Sequence, residues 1–524
     1  MTSTVTWEEL VASALLGTDR RPPPAGAPAL LDAAALHTVR RRAGLLPAPA
    51  GARPAPSAPD PRPEPPLPAR HRLAQLLADR SGPAGSGGRR GAAPDLTELL
   101  PQWLAAAARH GYRAPAPLLD ALLDAARART DLRPQALAFA GPRGLWLAGL
   151  NPEWRFALRG APGGAVLPRP TDARSVQHLW QEGLFAERVA LLSAVRAEAP
   201  GAGRELLAAT WSTERAEDRL MFLDSLRTGL TPTDEPFLEQ ALADRSRNVR
   251  ATAAELLSAL PGSALAGRMA ERAVTCVSLD LAESLTRIAV EAPHECDAAM
   301  RRDGVSSVPP AGRGERSWWL GQLVEATPLA VWTTRLGGRT PHEIVTLPVA
   351  DGWSEELHAA WCRAAVRQKD AEWSRALLAG PGTTSLAERA RLLATLPDEE
   401  RARWVAEFVA GHGLSEAFQL LGVCETPWAG PLGRAVVDAL EIARDAGSYP
   451  WSFSGVMGLA ERCLDPAEAS RLVALTAIPD ETEGASPGAA GYWSEAFQRL
   501  VSTLRLRAAM ETELAGHPSP PGTG

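Results

Sequence analysis

The chain has 524 residues, enough for two to four domains or for one long array. Ala, Leu, Arg and Glu dominate, β-formers are scarce (three Tyr, nine Phe), and Lys369 is the single lysine, so local propensity is helical almost throughout. The net charge of −6 is unevenly spread: residues 1–150 hold 18 Arg against 12 Asp and Glu, which leaves about −12 for the remainder and argues against a nucleic-acid surface. Five cysteines at wide spacing contain no C-x-x-C pair and form no disulfide framework, so reduced thiols in a cytoplasmic protein are expected. Met1–Leu16 lacks a signal-peptide pattern, and no apolar run is long enough for a membrane span.

The spacing predicts a short amphipathic helix over Trp7–Leu16, closed by Gly17, and a second over about Ala29–Ala43. Residues 47–68 carry ten prolines in 22 positions and read as an extended linker. A short helix follows at His71–Asp79. Asp95 is placed to cap the next, whose apolar face runs from Leu96 to Ala107 past Pro101, and Leu118–Ala128 has helical spacing as well.

Between about Pro170 and Pro293 a 31-residue period emerges. Trp180, Trp211 and Leu242 recur at that spacing, as do Arg188, Arg219 and Arg250, then Leu192, Leu223 and Ala254, then Val195, Leu226 and Leu257. A fixed period in this range marks stacked helical pairs, which bury their apolar faces only on their neighbours. A fourth unit fits with Met269, Ala273, Leu285 and Ile288 apolar where expected, although Leu281 stands where the Arg should be. Pro309, Pro310, Gly312 and Gly314 then break the array. Helical patterning returns from Trp353, and the tail is rich in Pro and Gly.

The stretch Phe237–Asp244 followed by Asn248-Val249-Arg250 resembles the HEAT family of helical repeats. That resemblance implies an Asp at the turn (Asp244) and a basic residue opening the second helix (Arg250), tying turn and neighbouring unit by a charge-assisted bond. Thr213 and Glu182 stand in place of Asp244 in the other units.

The chain also resembles a bacterial family of uncharacterised helical-repeat proteins, a domain of unknown function. The resemblance rests on Trp7 with Ala14-Leu15-Leu16-Gly17-Thr18-Asp19-Arg20, and on Trp180-x-Glu182-Gly183 with Glu187-Arg188. It continues through Asp234-Glu235-Pro236-Phe237-Leu238-Glu239 and Leu260-Pro261-Gly262-Ser263 to Arg268-Met269, and covers about the first half of the chain. It implies a large cytoplasmic protein of helical repeats. By gene neighbourhood it also implies a partner that is an AAA+ ATPase or a von Willebrand A-type protein.

The expected fold is therefore all-α, a HEAT-like α-solenoid of helical hairpin repeats with a proline-rich N-terminal linker. Its expected parts are a helical segment (1–46), a linker (47–70), a helical region with Gly/Pro-rich loops (71–170), the repeats (171–301), an irregular connector (302–352), a C-terminal helical region (353–510) and a disordered tail (511–524).

Chemistry is sparse. Gly160-Ala161-Pro162-Gly163-Gly164 lacks the Lys-Ser/Thr ending of a phosphate loop. His294-Glu295-Cys296-Asp297 has ligand-type side chains but no second pair for a zinc site, and reads as a cap or loop. Most of the sixteen tryptophans fall on apolar helical positions, while Trp318, Trp319 and Trp332 are candidates to line a groove. Arg188, Arg219 and Arg250 would form a ladder, either facing an anionic ligand or, as preferred, salt-bridged internally with acids such as Glu187, Asp218 and Asp244. Thr18, Asp19, Arg20 and Arg21 are the candidate partner contact. No catalytic, cofactor or metal residue is assigned. The expected function is a non-catalytic scaffold binding another protein. The alternatives are a nucleic-acid-binding, glycosylase-like protein and a small-molecule enzyme whose site spans repeats.

Overall fold

The computed structural model describes residues 6–20, 27–44, 54–78, 94–160, 172–282, 285–381, 385–428, 430–478 and 488–516. Among them are 27 α-helices and one two-stranded sheet, so the protein is mostly helical. The chain divides into a small unit, Met1–Ala58, and a large one, Pro59–Gly524.

In the small unit, α1 (Trp7–Leu16) opens with a capping box: Thr6 accepts from the Glu9 amide, and Glu9 accepts from the Thr6 amide at 2.8 Å. It ends at Gly17, whose φ of 85° no other residue adopts readily. The second helix, α2 (Ala27–Gly44), sets His37 and Arg41 against the Trp7 ring.

The large unit begins within the prolines, and here the expected linker (47–70) needs correction. Pro65 is buried, and Arg62 pairs with Asp60 at 2.7 Å while donating to the Ala138 carbonyl at 2.9 Å. Glu64 pairs with Arg70 and Arg113. Proline removes helix as an option, but an extended strip with three charged side chains still docks on a helical surface. The next helix, α3 (Leu67–Ala78), starts inside the expected linker. It is followed by α4 (Leu96–Arg109), capped by Asp95 as the spacing predicts and continuous through Pro101, and by α5 (Leu119–Ala128), α6 (Arg133–Leu150) and α7 (Arg155–Gly160).

Six helices span the periodic segment: α8 (Ala173–Glu182), α9 (Phe185–Glu198), α10 (Pro200–Thr210), α11 (Ala216–Ser225), α12 (Glu235–Ala241) and α13 (Arg247–Ser258), with α8 and α10 both packed on α9 and α12 packed on α13. Helix α9 packs on α11, and α11 on α13, so the second helices form one layer. The recurring apolar positions Trp180, Leu192, Leu223, Leu226, Leu242 and Leu257 are all buried.

The fourth unit departs from expectation. Its first helix, α14 (Ala264–Cys276), is present, but β1 (Val277–Ala282) and β2 (Leu285–Val290) replace the second with an antiparallel hairpin. The local sequence alternates, with Val277 and Leu279 facing Val290 and Ile288, and Asp280 paired across to Arg287 at 2.9 Å. β-Branched residues on such a stripe favour a strand. Leu281, the residue standing in the Arg position, is exposed on this hairpin. The neighbouring chain covers it, since the Ile288 amide donates to the Pro348 carbonyl and Arg335 donates to that of Val277.

Residues 302–352 are not a break in the core. After α15 (Ala298–Arg302), helix α16 (Glu315–Ala326) packs on α14, followed by α17 (Leu329–Arg335) and α18 (Pro341–Thr346). Next come α19 (Ser354–Gln368), which also packs on α16, α20 (Ala371–Ala379) and α21 (Leu386–Leu393). One apolar cluster runs from Val176 to Leu392, and a second starts at Leu393, inside α21. The Pro/Gly loop at 309–314 interrupts the helices without interrupting the buried layer. Trp319 and Trp332 fill that core, and Trp318 packs against it half-buried with its Nε1 donating to the Ser306 carbonyl.

The second cluster gathers α22 (Asp398–His412), α23 (Leu414–Leu421), α24 (Gly430–Asp445), α25 (Ser454–Cys463), α26 (Ala469–Leu472) and α27 (Ala489–Ala515). The expected tail (511–524) is corrected too: α27 runs to Ala515, with Met510 and Leu514 buried among Leu73, Trp103 and other residues of α3–α6. Arg72 pairs with Glu513 at 2.7 Å, and the Tyr112 hydroxyl donates to the Leu514 carbonyl. Residues 517–524 lie outside the described residues.

Among the described residues a single charged pair is fully buried. Arg196 of α9 and Asp234, just before α12, are both 0% exposed and meet at 2.9 Å. The guanidinium also donates to the carbonyls of Pro200, Leu226, Thr228 and Gly229, so all of its donor atoms are used. Its stem lies against Gly203 of α10, where a Cβ would stand 2.6 Å from the Arg196 Cδ. Removing one partner of such a pair strands a buried charge. Asp234→Ala is expected to lower the unfolding free energy by about 3–5 kcal/mol, read as a fall in urea midpoint. Arg227→Ala, whose pairs with Asp224 and Glu255 are about half-exposed, should cost about 1 kcal/mol or less. Equal losses for the two variants would refute this assignment.

Candidate functional site

The recurring arginines sit between consecutive helical pairs. Arg188 stacks over the Trp180 ring at 4.5 Å and the Phe222 ring at 4.9 Å, and its guanidinium is bonded bidentately to Glu214. Arg219 stacks over Trp211 at 5.7 Å and pairs with Asp244 at 2.8 Å. Each arginine therefore reaches forward to the acid in the turn of the next pair. Arg219 also donates back to the Glu214 carbonyl of its own turn.

The expected acid partners are corrected by this geometry. Asp244 binds Arg219 and the Ser246 amide, whereas Arg250 donates only to the carbonyls of Asp244 and Arg245. A turn acid for Arg250 would belong to the fourth unit, where the hairpin has replaced the second helix. Glu187 is occupied in capping the Leu184 amide at 2.8 Å. Burial pushes the Glu214 carboxyl up, but hydrogen bonds from Arg188 and Thr210 and the charges of Arg188 and Arg219 together outweigh it and hold the group below its usual range. Arg188 and Arg219 are thus neutralised within the array.

The N-terminal candidate lies in the small unit. Thr18, Asp19 and Arg20 form the turn after α1, with the Arg20 amide donating to the Gly17 carbonyl. Asp19 and Arg20 are exposed, and Arg21 lies outside the described residues. Near His294, Asp297 caps α15 by accepting from the Met300 amide at 2.7 Å. Among the described residues no group of three His, Cys, Asp or Glu side chains converges as a metal ion would require.

The structure adds a cleft that sequence spacing did not reveal. It has a volume of about 680 Å³ and lies where the third helical pair faces α19 and α21. Leu256 and Leu260 form part of one wall, and Cys362 and Val366 of α19 part of the other. Around this apolar floor stand five cations, Arg227, Arg363, Arg367, Lys369 and Arg391, against Glu255, Glu325 and Glu388. Glu325 is shared by Arg363, at 2.6 Å, and Arg367. Glu255 binds Arg227 at 2.8 Å, and Glu388 caps α21 by accepting from the Ser385 amide. Among the described residues Lys369 and Arg391 have no carboxylate partner, and both are exposed.

Lys369 is held in an unusual backbone. It closes α19 with φ 53° and ψ 41°, the left-handed region, which costs a side-chain-bearing residue about 1–2 kcal/mol. The following Asp370 donates its amide to Ala365 and caps α20 by accepting from the Trp373 amide. Two helices are joined here without a loop, and the bend turns the one lysine of the chain to the cleft. The signal in the sequence was the lone lysine itself.

A mostly helical protein whose neighbouring helices are tied by Arg–carboxylate bridges beside a cation-rich cleft is the class that fold and site define. Its family is known at the level of sequence. The chain belongs to the family of unknown function DUF5691, whose sequence pattern matches residues 9–514. Neither the curated proteins nor the solved structures contain a match to it. Among the described residues no helix is long and apolar enough to cross a membrane.

The thiol on the cleft floor is not an activated nucleophile. Burial pushes the Cys362 thiol up to about 12, so it stays protonated and a poor nucleophile near neutral pH. Burial likewise raises Cys424 to about 11. In the native protein at pH 8, both are expected to resist iodoacetamide and to label only after unfolding, as peptide mapping by mass spectrometry would report. Rapid native labelling of Cys362 would show that the cleft floor is open to water.

Proposed function

We propose that this chain is a non-catalytic scaffold, a HEAT-like solenoid that binds another protein, and that the cleft takes an acidic segment of that partner. The observation that carries the reading is the pair of uncompensated cations, Lys369 and Arg391, on a cleft shared by two parts of the helical layer. Five cations face three carboxylates there, in a region whose overall charge is negative. A local excess of that sign steers and orients an acidic partner. The apolar floor of Leu256, Leu260 and Val366 supplies the remaining contact area. The inter-unit bridges from Arg188 and Arg219 support the solenoid reading, because stacked pairs tied in this way present a continuous surface. An AAA+ ATPase or a von Willebrand A-type protein is the partner class that the family resemblance implies.

The single lysine gives a site-specific test. Carbodiimide treatment of the full chain with extracts of its host joins the Lys369 amine to a partner carboxylate within contact distance. The expected result is one cross-linked peptide pair through Lys369 to an acidic segment. Lys369→Arg should abolish the cross-link and keep co-purification. Lys369→Glu with Arg391→Glu should reduce co-purification about tenfold, the scale of two interface charges. Retention of the same partner by the doubly reversed variant would sink the proposal. So would recovery of nothing but nucleic acid that salt removes.

A further inference from the structure

A second site lies in the other apolar cluster, far along the chain from Lys369. Pro450, Trp451, Met457 and Tyr492 border a cavity of about 480 Å³ at the end of α27 that faces α25. Trp451 is 55% exposed, unlike the nearby Trp493, which is fully buried with its Nε1 donating to the Ser448 carbonyl. The Trp451 ring stacks on Tyr449 with centroids 4.0 Å apart, and Tyr492 meets it at 5.3 Å and 66°. Two of the three tyrosines in the chain thus converge on one exposed tryptophan. Exposed aromatic surface is expensive in water, and the exposed Trp451 ring borders this cavity together with Tyr492.

The polar groups beside the rings are acidic. Glu461 and Glu495 line the cavity, and Glu461 is paired with Arg499 at 2.8 Å. Glu495 is exposed and takes part in no ion pair among the described residues. A smaller cavity of about 170 Å³ continues the groove, sharing Gly458 and Glu461 and bordered by Asp95, Glu98 and Thr503. Thr503 is 3% exposed, and its hydroxyl has no hydrogen-bond partner among the described residues. A buried hydroxyl left unpaired costs free energy, so its place on a cavity wall points to a polar ligand atom.

We propose that this groove binds an organic cation, an alkylammonium group held by Trp451 and Tyr492 and neutralised by Glu495. The negative faces of aromatic rings attract a weakly hydrated cation, and an adjacent carboxylate adds to that attraction. The Thr503 hydroxyl is placed to bond a polar group further along the same ligand. The cation is either a free small molecule or a methylated lysine side chain of a protein. The chemistry is the same for both.

The test compares choline with its neutral carbon isostere, 3,3-dimethylbutanol, on the full chain by saturation-transfer NMR and calorimetry. The expected result is choline binding at least about tenfold tighter than the isostere, with a further loss of about tenfold in Trp451→Leu and a smaller loss in Glu495→Gln. Trp451 is exposed, so its replacement should leave the thermal midpoint close to that of the parent. A trimethyllysine peptide binding more tightly than choline would assign the cation to a protein side chain, and equal affinity would assign it to a free molecule. Equal binding of choline and the isostere, or unchanged binding in Trp451→Leu, would overturn the proposal. So would no choline binding in the parent at tens of millimolar.

Discussion

The first three helical pairs depend on a charge taken completely out of water. Arg196 enters the interior from α9 and meets Asp234 ahead of α12. Desolvating both ions costs several kcal/mol each, and their mutual attraction offsets this only when the remaining donors are satisfied. Here four backbone carbonyls do that, all from the chain around α10 and the turn after α11. One side chain therefore fixes where three elements end relative to one another. Gly203 is part of the same arrangement, since only a residue without a side chain lets the arginine stem pass. The half-buried bridges from Arg188 to Glu214 and from Arg219 to Asp244 repeat the device nearer the surface, where it is more forgiving.

The buried positions of the periodic segment were legible because equivalent packing needs equivalent spacing. Val176, Leu207 and Leu238 fall on a fixed period, and the structure buries them. Local signals read equally well at Asp95 and at the Trp7–Leu16 helix. The failures have a common cause. Met269 and Ile288 fit the 31-residue period, but Val277, Leu279, Ile288 and Val290 also fit a period of two, and only the second governs the hairpin. Periodicity fixes which residues are inside without fixing the backbone that carries them. The glycines and prolines at 309–314 looked like a boundary, yet Leu320, Leu323 and Val324 carry the buried layer straight on. Chain breaks and core breaks are different events.

The candidate site was nearly invisible for a different reason. Lys369, Arg391 and Arg227 belong to three segments, and no linear spacing relates them. Arg196 was missed because spacing does not single it out: the residue 31 positions later is also an arginine, Arg227, but an exposed one with other partners. Asp234 did stand within the motif that carries the family resemblance, but a motif names a residue without saying what it binds. The arginine ladder was read as internally bridged at Arg188, Arg219 and Arg250; the first two pair with an acid of the next turn and not with the neighbour in sequence, while Arg250 bonds backbone carbonyls. The bond goes forward because the free acid is on the element that has still to be held.

The last helix sets the order in which the protein can be made. Met510 and Leu514 complete the core around Trp103, and the Tyr112 hydroxyl bonds a carbonyl 402 residues further on. On the ribosome, α3–α6 therefore emerge long before the surface that covers them exists. The apolar face around Leu73 and Leu104 must wait, exposed, while the pairs between Ala173 and Leu393 assemble from local contacts. Early segments of this chain are thus the late ones to mature, and the interval between synthesis and burial is when a chaperone would find them.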